Sequence, residues 1–599
     1  MKEKIKVFFP NQDKTILVEP NTTVASACAI AGFPLDLVCG GKGRCGQCKV
    51  DIVKNGIKNR VLACQEKITG ELQVLLEENQ VNKKANILTH GLWDSVDFDP
   101  AIKRIHLKKE DCKAPTGYGT WDHINDLFGQ PIETYPLDVL QKSPYILHSE
   151  SPEGMDAILW KNVLIDIREG DRDIYGFAVD IGTTTVVGYF YNLMNGKMIG
   201  VYSSLNGQVS EGADVISRIV ACIEDPEGLG RLQGKIVDTL NKLIDQAVKQ
   251  HNIDYNDIYY MALCGNSAMQ HLFLGLYPEY LGKYPFTSIT RKDVVSRARQ
   301  LNLKVNPNAV IHFLPLIGGF VGADTIAVLI SLPESNGYRL ILDLGTNGEI
   351  VVGNKDKMLA ASTAAGPALE GAGIRMGMRG TDGAIERVTI EDGKVKFKVI
   401  GNKEPVGICG SGLIDAVAEM LRVGIITEKG KLLTREEYLD QCAPENRNLA
   451  NHLEKIDNIN AFVLTSPEQA KEGIKVYLTQ KDIRAVQLAK GAIYTGCMLL
   501  IKEYGINPEY LDEILIAGAF GNYIDISKGQ YIGLLPKFKG VPTRSIGNAA
   551  GAGVQRFLLS QEVQKKTLEI QKKITHVELA SNPNFRNEYF TNINFSRSI

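Results

Sequence analysis

The sequence predicts a multidomain protein of mixed α/β and α+β class: a small N-terminal β-grasp unit, a small middle domain and a large two-lobed α/β domain. Three observations carry that expectation. The chain has 599 residues, too many for one hydrophobic core, so roughly two to four domains are expected. Two runs that alternate apolar and polar residues open the chain and lead to a tight cluster of cysteines. A pattern of buried strand, Asp, Gly-Thr turn and returning strand occurs twice, around Asp180 and around Asp343.

Composition narrows the function classes. With a net charge of -2 and 23% charged residues, the chain has no general attraction for nucleic acid. The start, MKEKIKVFFPNQDK, lacks the apolar core of a secretory signal. The longest apolar stretch, 313–332, is broken by Pro315, Gly318, Gly319, Gly322 and Asp324, which rules against a membrane span. A cytoplasmic protein is expected. Of 11 cysteines, four fall between Cys39 and Cys64, and in a reducing compartment such clustering favours metal over disulfides.

In chain order, residues 4–10 and 14–19 form alternating runs joined by Asn11-Gln12-Asp13, the signal of a β-hairpin. A helix is expected over about 24–31, then the cysteine loop, then a strand over 48–53, completing a first domain over 1–80. The sequence is polar and without clear period from Glu77 to Lys84, and residues 81–96 are read as a linker. Residues 97–170 mix helix and strand signals with several prolines and are assigned to a small middle domain. From 171 to 599 the texture becomes apolar β-rich runs, glycine turns and helices, the pattern of α/β domains.

The cysteine loop runs Cys39-Gly-Gly-Lys-Gly-Arg-Cys45-Gly-Gln-Cys48, with a fourth thiol at Cys64 after fifteen intervening residues. Four thiolates are the ligand set of a 2Fe-2S cluster. Glycines at 40, 41, 43 and 46 let the backbone wrap an anionic core and aim N–H groups at its sulfurs. A structural zinc site and a disulfide pair remain alternatives, although only Cys45 and Cys48 form the C-x-x-C turn usual in zinc knuckles. The loop resembles that of 2Fe-2S ferredoxins, with five residues instead of four between the first two cysteines. Cys28, on the preceding apolar helix, reads as core.

The first repeat is Asp180-Ile-Gly182-Thr183-Thr184-Thr185 and the second Asp343-Leu-Gly345-Thr346-Asn347-Gly348. Backbone N–H groups and hydroxyls at such turns suit phosphate oxygens, and an Asp at the strand end suits hydrated Mg²⁺. The pair resembles the phosphate motifs of the acetate kinase, sugar kinase, heat-shock chaperone and actin superfamily. Its adenosine motif is matched at Gly518-Ala-Phe520-Gly521-Asn522, and its two small-residue connecting helices at Cys264-Gly-Asn-Ser-Ala268 and Gly547-Asn-Ala-Ala-Gly-Ala-Gly553. The resemblance implies ATP and Mg²⁺, with Asp180 and Asp343 facing each other across a cleft. No G-x-G-x-x-G turn opens a helix with an acidic residue about twenty positions later, and a Walker A loop is absent.

The whole arrangement is similar to the reductive activators of corrinoid-dependent enzymes. Further matching segments are Gly212–Arg218, Pro315–Asp324, Ala364–Ala372 and Gly407–Asp415. That resemblance implies ATP-dependent reduction of Co(II) to Co(I) on the corrinoid protein of a methyltransferase system. A low-potential ferredoxin, flavodoxin or reductase would feed the electron, and a homodimer is compatible with it. A small-molecule kinase with a redox-sensing domain and a chaperone-like ATPase are the competing readings. The small-residue run Ala360–Pro367 is read either as a loop that approaches the partner or as small residues that let the hairpin pack on a neighbouring helix.

The ligand assignment predicts about two iron and two sulfide per chain in anaerobically purified protein. Replacing Cys28 should leave that content intact, and loss of iron in the Cys28→Ala protein would show a misassigned ligand.

Overall fold

A computed structural model of the chain describes residues 4–31, 49–76, 96–128, 132, 136–147 and 154–595, except 213, 346, 372, 379, 381, 467, 470–474, 522 and 580. The N-terminal sheet has five strands in the order Lys14–Val18, Ile5–Phe9, Leu72–Leu75, Lys49–Lys54, Ile57–Leu62. The Ile5–Phe9 and Leu72–Leu75 strands run parallel and the other pairs antiparallel, which is the β-grasp arrangement. The hairpin turn closes through Asp13, in the left-handed region at φ 45°, whose N–H bonds the carbonyl of Pro10 at 3.3 Å. Val7, Phe9, Ala27, Cys28, Ile52 and Val74 fill the core beneath the Val24–Ile30 helix. The linker expected over 81–96 lies, up to residue 95, outside the described residues.

Residues 102–169 build a three-stranded antiparallel sheet, Ile102–Leu107, Met155–Trp160 and Val163–Glu169. The helices Thr120–Leu127 and Leu137–Leu147 accompany it, and Ile124, Val139, Ala157, Leu159 and Leu164 make a separate small core. Buried charges fasten this layer to the following lobe. Arg168 pairs with Asp156 at 3.2 Å and Asp257 at 2.5 Å, while Asp166 accepts from Lys142, Tyr259 and Asn306 at 2.9, 2.7 and 3.0 Å.

The chain divides into two compact units. One comprises residues 1–333 and 549–571, the other 334–548 and 572–599. Each contains a six-stranded sheet, and five strands of each share one topology, the sixth lying at opposite edges. In the first unit the strands Lys197–Leu205, Thr185–Asn192 and Tyr175–Ile181 form an antiparallel meander, continued by the parallel strands Ile258–Gly265 and Val310–Phe313. In the second the order is Met358–Thr363, Gly348–Gly353, Tyr338–Leu344, then Leu511–Ala517 and Thr543–Gly547 in parallel. Both sequence repeats therefore occupy the same hairpin of the same sheet. The units are duplicates at the level of fold.

Both connecting helices are present, Ser267–Leu274 after Cys264 and Ala549–Leu559 after Gly547. The Ala549–Leu559 helix crosses Ala323–Ser331 closely, and Cys264 Sγ lies 3.9 Å from the Ala550 carbonyl. The crossing is a backbone approach: a Cβ on Gly553 would stand 1.8 Å from the carbonyl oxygen of Ala327. The run Ala360–Pro367 is not a loop throughout, because Met358–Thr363 is a strand paired on both sides and Ala360 and Ala361 are fully buried. Small residues there serve packing, and Ala364 is the exposed member. Among the described residues no helix is long and apolar enough to cross a membrane.

The Gly553 contact predicts that Gly553→Ala destabilises the protein by about 1–3 kcal/mol through overpacking. A lower urea midpoint is the expected readout, and an unchanged one would mean the helices separate without cost.

Candidate functional site

In the first unit the phosphate hairpin joins Tyr175–Ile181 to Thr185–Asn192. Its turn closes by a hydrogen bond from the Gly182 N–H to the carbonyl of Thr185 at 3.0 Å. A side chain at 182 would put its Cβ 2.6 Å from that oxygen, so glycine is required. Three side chains frame the turn from behind. Asn206 donates to the carbonyl of Gly182 at 2.9 Å, Arg218 to the carbonyl of Thr183 at 2.5 Å, and Asn266 to the Thr183 hydroxyl oxygen at 3.0 Å. Because Thr183 Oγ1 accepts from Asn266, its hydrogen can point to a phosphate oxygen.

Asp180 ends the first strand of this hairpin. Its register partner on Ile258–Gly265 is Cys264, whose thiol lies 3.8 Å from Asp180 Oδ1. Asp324, in the first turn of Ala323–Ser331, is the second acidic group here.

In the second unit the hairpin Tyr338–Leu344 to Gly348–Gly353 carries Asp343 at the equivalent strand end, and Gly345 donates to the carbonyl of Asn347 at 3.0 Å. Gly518 opens a short Gly518–Gly521 helix after Leu511–Ala517 and has φ +90°. A Cβ there would meet Asp343 Oδ1 and the Leu344 carbonyl, both at 2.7 Å. The adenosine-type turn and the second phosphate hairpin thus touch through a position where only glycine fits. Gly521 and Phe520 lie in the same short helix, while Thr346 and Asn522 lie outside the described residues.

In the N-terminal domain Cys64 follows the Ile57–Leu62 strand in a turn pinned to the helix start, with Ala25 N–H bonding the Ala63 carbonyl at 2.8 Å and Val24 N–H that of Glu66 at 2.9 Å. The Gln65 amide donates to Cys64 Sγ at 3.6 Å, an N–H contact of the kind that suits a thiolate ligand. Cys39, Cys45 and Cys48 lie outside the described residues. Cys28 sits fully buried in the domain core.

Comparison with known proteins follows the same three-part division. Residues 8–69 match the model of the 2Fe-2S iron-sulfur cluster binding domain, 175–333 that of the RACo middle region, and 337–598 that of the C-terminal domain of RACo, the ASKHA domain. The corrinoid activation enzyme RamQ of Eubacterium limosum is 44% identical over 99% of this chain and 100% of its own length. The chain belongs to the RACo family of reductive activators of corrinoid-dependent enzymes.

Other relatives of the family agree. The [Co(II) methylated amine-specific corrinoid protein] reductase of Methanosarcina barkeri is 26% identical over 70% of this chain and 77% of its own. A solved structure of a reductive activator for corrinoid, iron-sulfur protein is 29% identical, with a TM-score of 0.75 and 99% of each chain covered. The cysteine loop and both Asp-Gly-Thr hairpins fall inside the matched regions. Asn206, Arg218, Asn266 and Asp324 are the site residues that motif reading left without a role. For Arg218 the available signal was an arginine on the buried face of an otherwise apolar helix, Val215–Glu224.

Burial lifts the Asp180 carboxyl from its ordinary 3.8 to about 7, with the Asp324 charge as second cause, and burial lifts Asp324 to about 6. A raised carboxyl means that the folded protein keeps protons that the unfolded chain has lost between the ordinary value and about 7. In that window stability of the nucleotide-free protein therefore falls as pH rises. Urea midpoints measured from about pH 5 to about pH 7.5 should decline more steeply for the unmodified chain than for an Asp180→Asn, Asp324→Asn double variant. Parallel slopes would place the two carboxyls in water.

Proposed function

We propose that this chain uses ATP to drive one-electron reduction of a partner protein's corrinoid from Co(II) to Co(I) in a methyl-transfer system. The observation that carries the reading is the joining, in one chain, of an iron-sulfur domain to a duplicated nucleotide fold, with end-to-end similarity to a corrinoid activation enzyme.

The assignment of roles belongs to the proposal. Cys39, Cys45, Cys48 and Cys64 hold the 2Fe-2S cluster, which supplies one electron at a time at low potential. Gly182, Thr183, Thr184, Gly345, Thr346 and Asn347 bind phosphates through backbone N–H and hydroxyl groups. Asp180 and Asp343 hold Mg²⁺ directly or through water. Gly518, Phe520, Gly521 and Asn522 receive the adenosine. The framing of the first hairpin by Asn206, Arg218 and Asn266 supports this division, since it fixes the turn without spending the Thr183 proton. Residues 1–80, 81–96, 97–170 and 171–599 are taken as cluster domain, linker, middle domain and ATPase domain. The electron arrives from a low-potential ferredoxin, flavodoxin or reductase in the cytoplasm.

The energetic logic concerns an uphill electron. Plant-type clusters lie near about -400 mV, and every 59 mV of mismatch in a one-electron step costs about a factor of ten, or about 1.4 kcal/mol. A corrinoid couple below the cluster therefore leaves Co(I) scarce at equilibrium. Binding and hydrolysis of ATP can change that only by favouring a state of the complex in which the cobalt is easier to reduce.

Anaerobic, reduced protein mixed with a Co(II) corrinoid protein should develop the Co(I) absorption band with MgATP and not without it. Asp180→Asn and Asp343→Asn should each cut ATP hydrolysis by about 10²-fold or more while the protein stays folded, since charge is lost and volume kept. Equal cobalt reduction in the absence of nucleotide would refute the coupling, and full hydrolysis in both variants would refute the metal assignment.

A further inference from the structure

A hairpin joins two of the cysteines assigned to the cluster. Its first strand, Lys49–Lys54, starts at the residue after Cys48, and its second, Ile57–Leu62, ends two residues before Cys64. Asn55 and Gly56, left-handed at φ 51° and 76°, close the far end as an Asn-Gly pair does in a two-residue hairpin turn. Lys49 pairs with Leu62 at the base and Lys54 with Ile57 at the tip, so the ribbon runs about 20 Å from the cysteine end to the turn. Ile57–Leu62 is the terminal strand of the five-stranded sheet.

This ribbon is basic. Lys49, Lys54, Lys58 and Arg60 stand against one acid, Asp51, in a chain whose net charge is -2. Strand alternation puts Lys49, Asp51 and Val53 on one face, and the register brings Arg60 and Lys58 onto the same face, opposite the buried Val50 and Ile52. Asp51 meets Lys58 at 2.9 Å and Arg60 at 4.0 Å. One carboxylate balances one of the three cations, and the rest of the charge is presented to solvent, since the Lys58 and Arg60 side chains are 60% and 63% exposed. Charges on an edge strand deter pairing with other strands, but either sign serves that purpose. A surplus of one sign beside a redox centre also steers oppositely charged molecules to it.

The kind of partner follows from what the face lacks. The hairpin contains no aromatic residue, and Ile57 at the tip is its one exposed large apolar side chain. Tight interfaces are built around buried aromatic anchors. A small, open, charged face suits encounters that form and break quickly, the class to which electron carriers belong.

We propose that the Lys49–Leu62 hairpin is where a small acidic one-electron carrier protein docks to reduce the cluster, an inference that rests on the cluster assignment above. The carrier is oxidised by one electron and the cluster is reduced by one; no bond forms and no proton moves. Acidic groups of the carrier meet Lys49, Lys58 and Arg60, and contact at the base of the hairpin, beside Cys64, sets the two redox centres close together.

The probe is a bacterial two-cluster ferredoxin of net negative charge, used with the full-length, iron-loaded chain. Binding of the oxidised ferredoxin is read by titration calorimetry, and electron transfer from its reduced form by stopped-flow absorption. Lys58→Gln combined with Arg60→Gln should weaken binding and lower the second-order rate constant by about tenfold or more at low ionic strength. Iron content and the rate of reduction by methyl viologen radical should stay within about twofold of the unmodified chain, because a small cation needs no basic docking face. Asp51→Asn, which removes the one acid, should raise the rate constant with ferredoxin. At about 1 M salt, where screening reaches about 3 Å, the three proteins should converge. A rate constant indifferent to both the substitutions and salt overturns the docking site, as does failure of the ferredoxin to bind or reduce the unmodified, iron-loaded chain. Unchanged reduction by ferredoxin with slowed reduction of Co(II) would give the hairpin to the corrinoid protein and overturns the proposal too. A chain purified anaerobically without iron overturns the cluster assignment itself, and metal analysis tells that failure from the others.

Discussion

The first nucleotide hairpin depends on one buried guanidinium. Arg218 is fully buried and donates to the carbonyls of Gly212 and Thr183 and to the Gln208 side chain. Each acceptor belongs to a different piece of chain: the segment before the Val215–Glu224 helix, the phosphate turn, and the short helix Gly207–Ser210. Removing the donor would leave buried carbonyls unpaired at about 1–3 kcal/mol each. The helix that carries Arg218 is itself pinned by a capping box between Asp214 and Ser217. The Gly182–Thr185 turn is rigid because its back is occupied, so the phosphate proposed to bind there would meet preset N–H groups without the cost of ordering them.

The second hairpin solves the same problem differently. There a neighbouring turn supplies the support, with Gly518 packed directly against Asp343 and Leu344. Behind the hairpin, Gly348 and Thr363 pair across the sheet, and Thr363 Oγ1 donates to the Gly348 carbonyl at 3.1 Å. A duplicated fold thus carries two unlike supports. In the first unit the hairpin leans on polar side chains from loops and helices, whereas in the second it leans on the strand-to-helix turn expected to receive the adenosine. The asymmetry fits a division in which one copy handles phosphate and metal and the other also handles the base.

Much of this was legible in the sequence, and the limits have physical reasons. The hairpins showed themselves because Asp-x-Gly-Thr between two apolar runs occurs twice, in order with the other motifs, although one such turn alone is an ordinary β-turn; the N-terminal strands did because alternation in a half-buried sheet is a local property. The partner of the Gly553 helix was not legible. Close helix crossings are set by tertiary approach, and small residues at Cys264–Ala268 and at Ala323–Ala327 look alike until a backbone contact distinguishes them. The run Ala360–Pro367 was undecided for a related reason: small residues suit a tight surface loop and an interior strand equally, and pairing with Gly348–Gly353 and Ile574–His576 decides for the strand up to Thr363. Arg218 lay in a segment whose resemblance was noted, yet its role depends on a hydrogen bond to the carbonyl of Thr183, 35 residues earlier in the chain.

The way the 102–169 layer is fastened bears on how an electron domain and a nucleotide domain can share one chain. Asp156, Asp166 and Arg168 are buried charges on its strands, and their partners Asp257, Tyr259 and Asn306 belong to the nucleotide lobe. A buried charge that loses its partner is penalised by several kcal/mol, so this layer and the lobe move as one body. The layer that follows the iron-sulfur domain in the chain is thus itself fixed to the nucleotide fold.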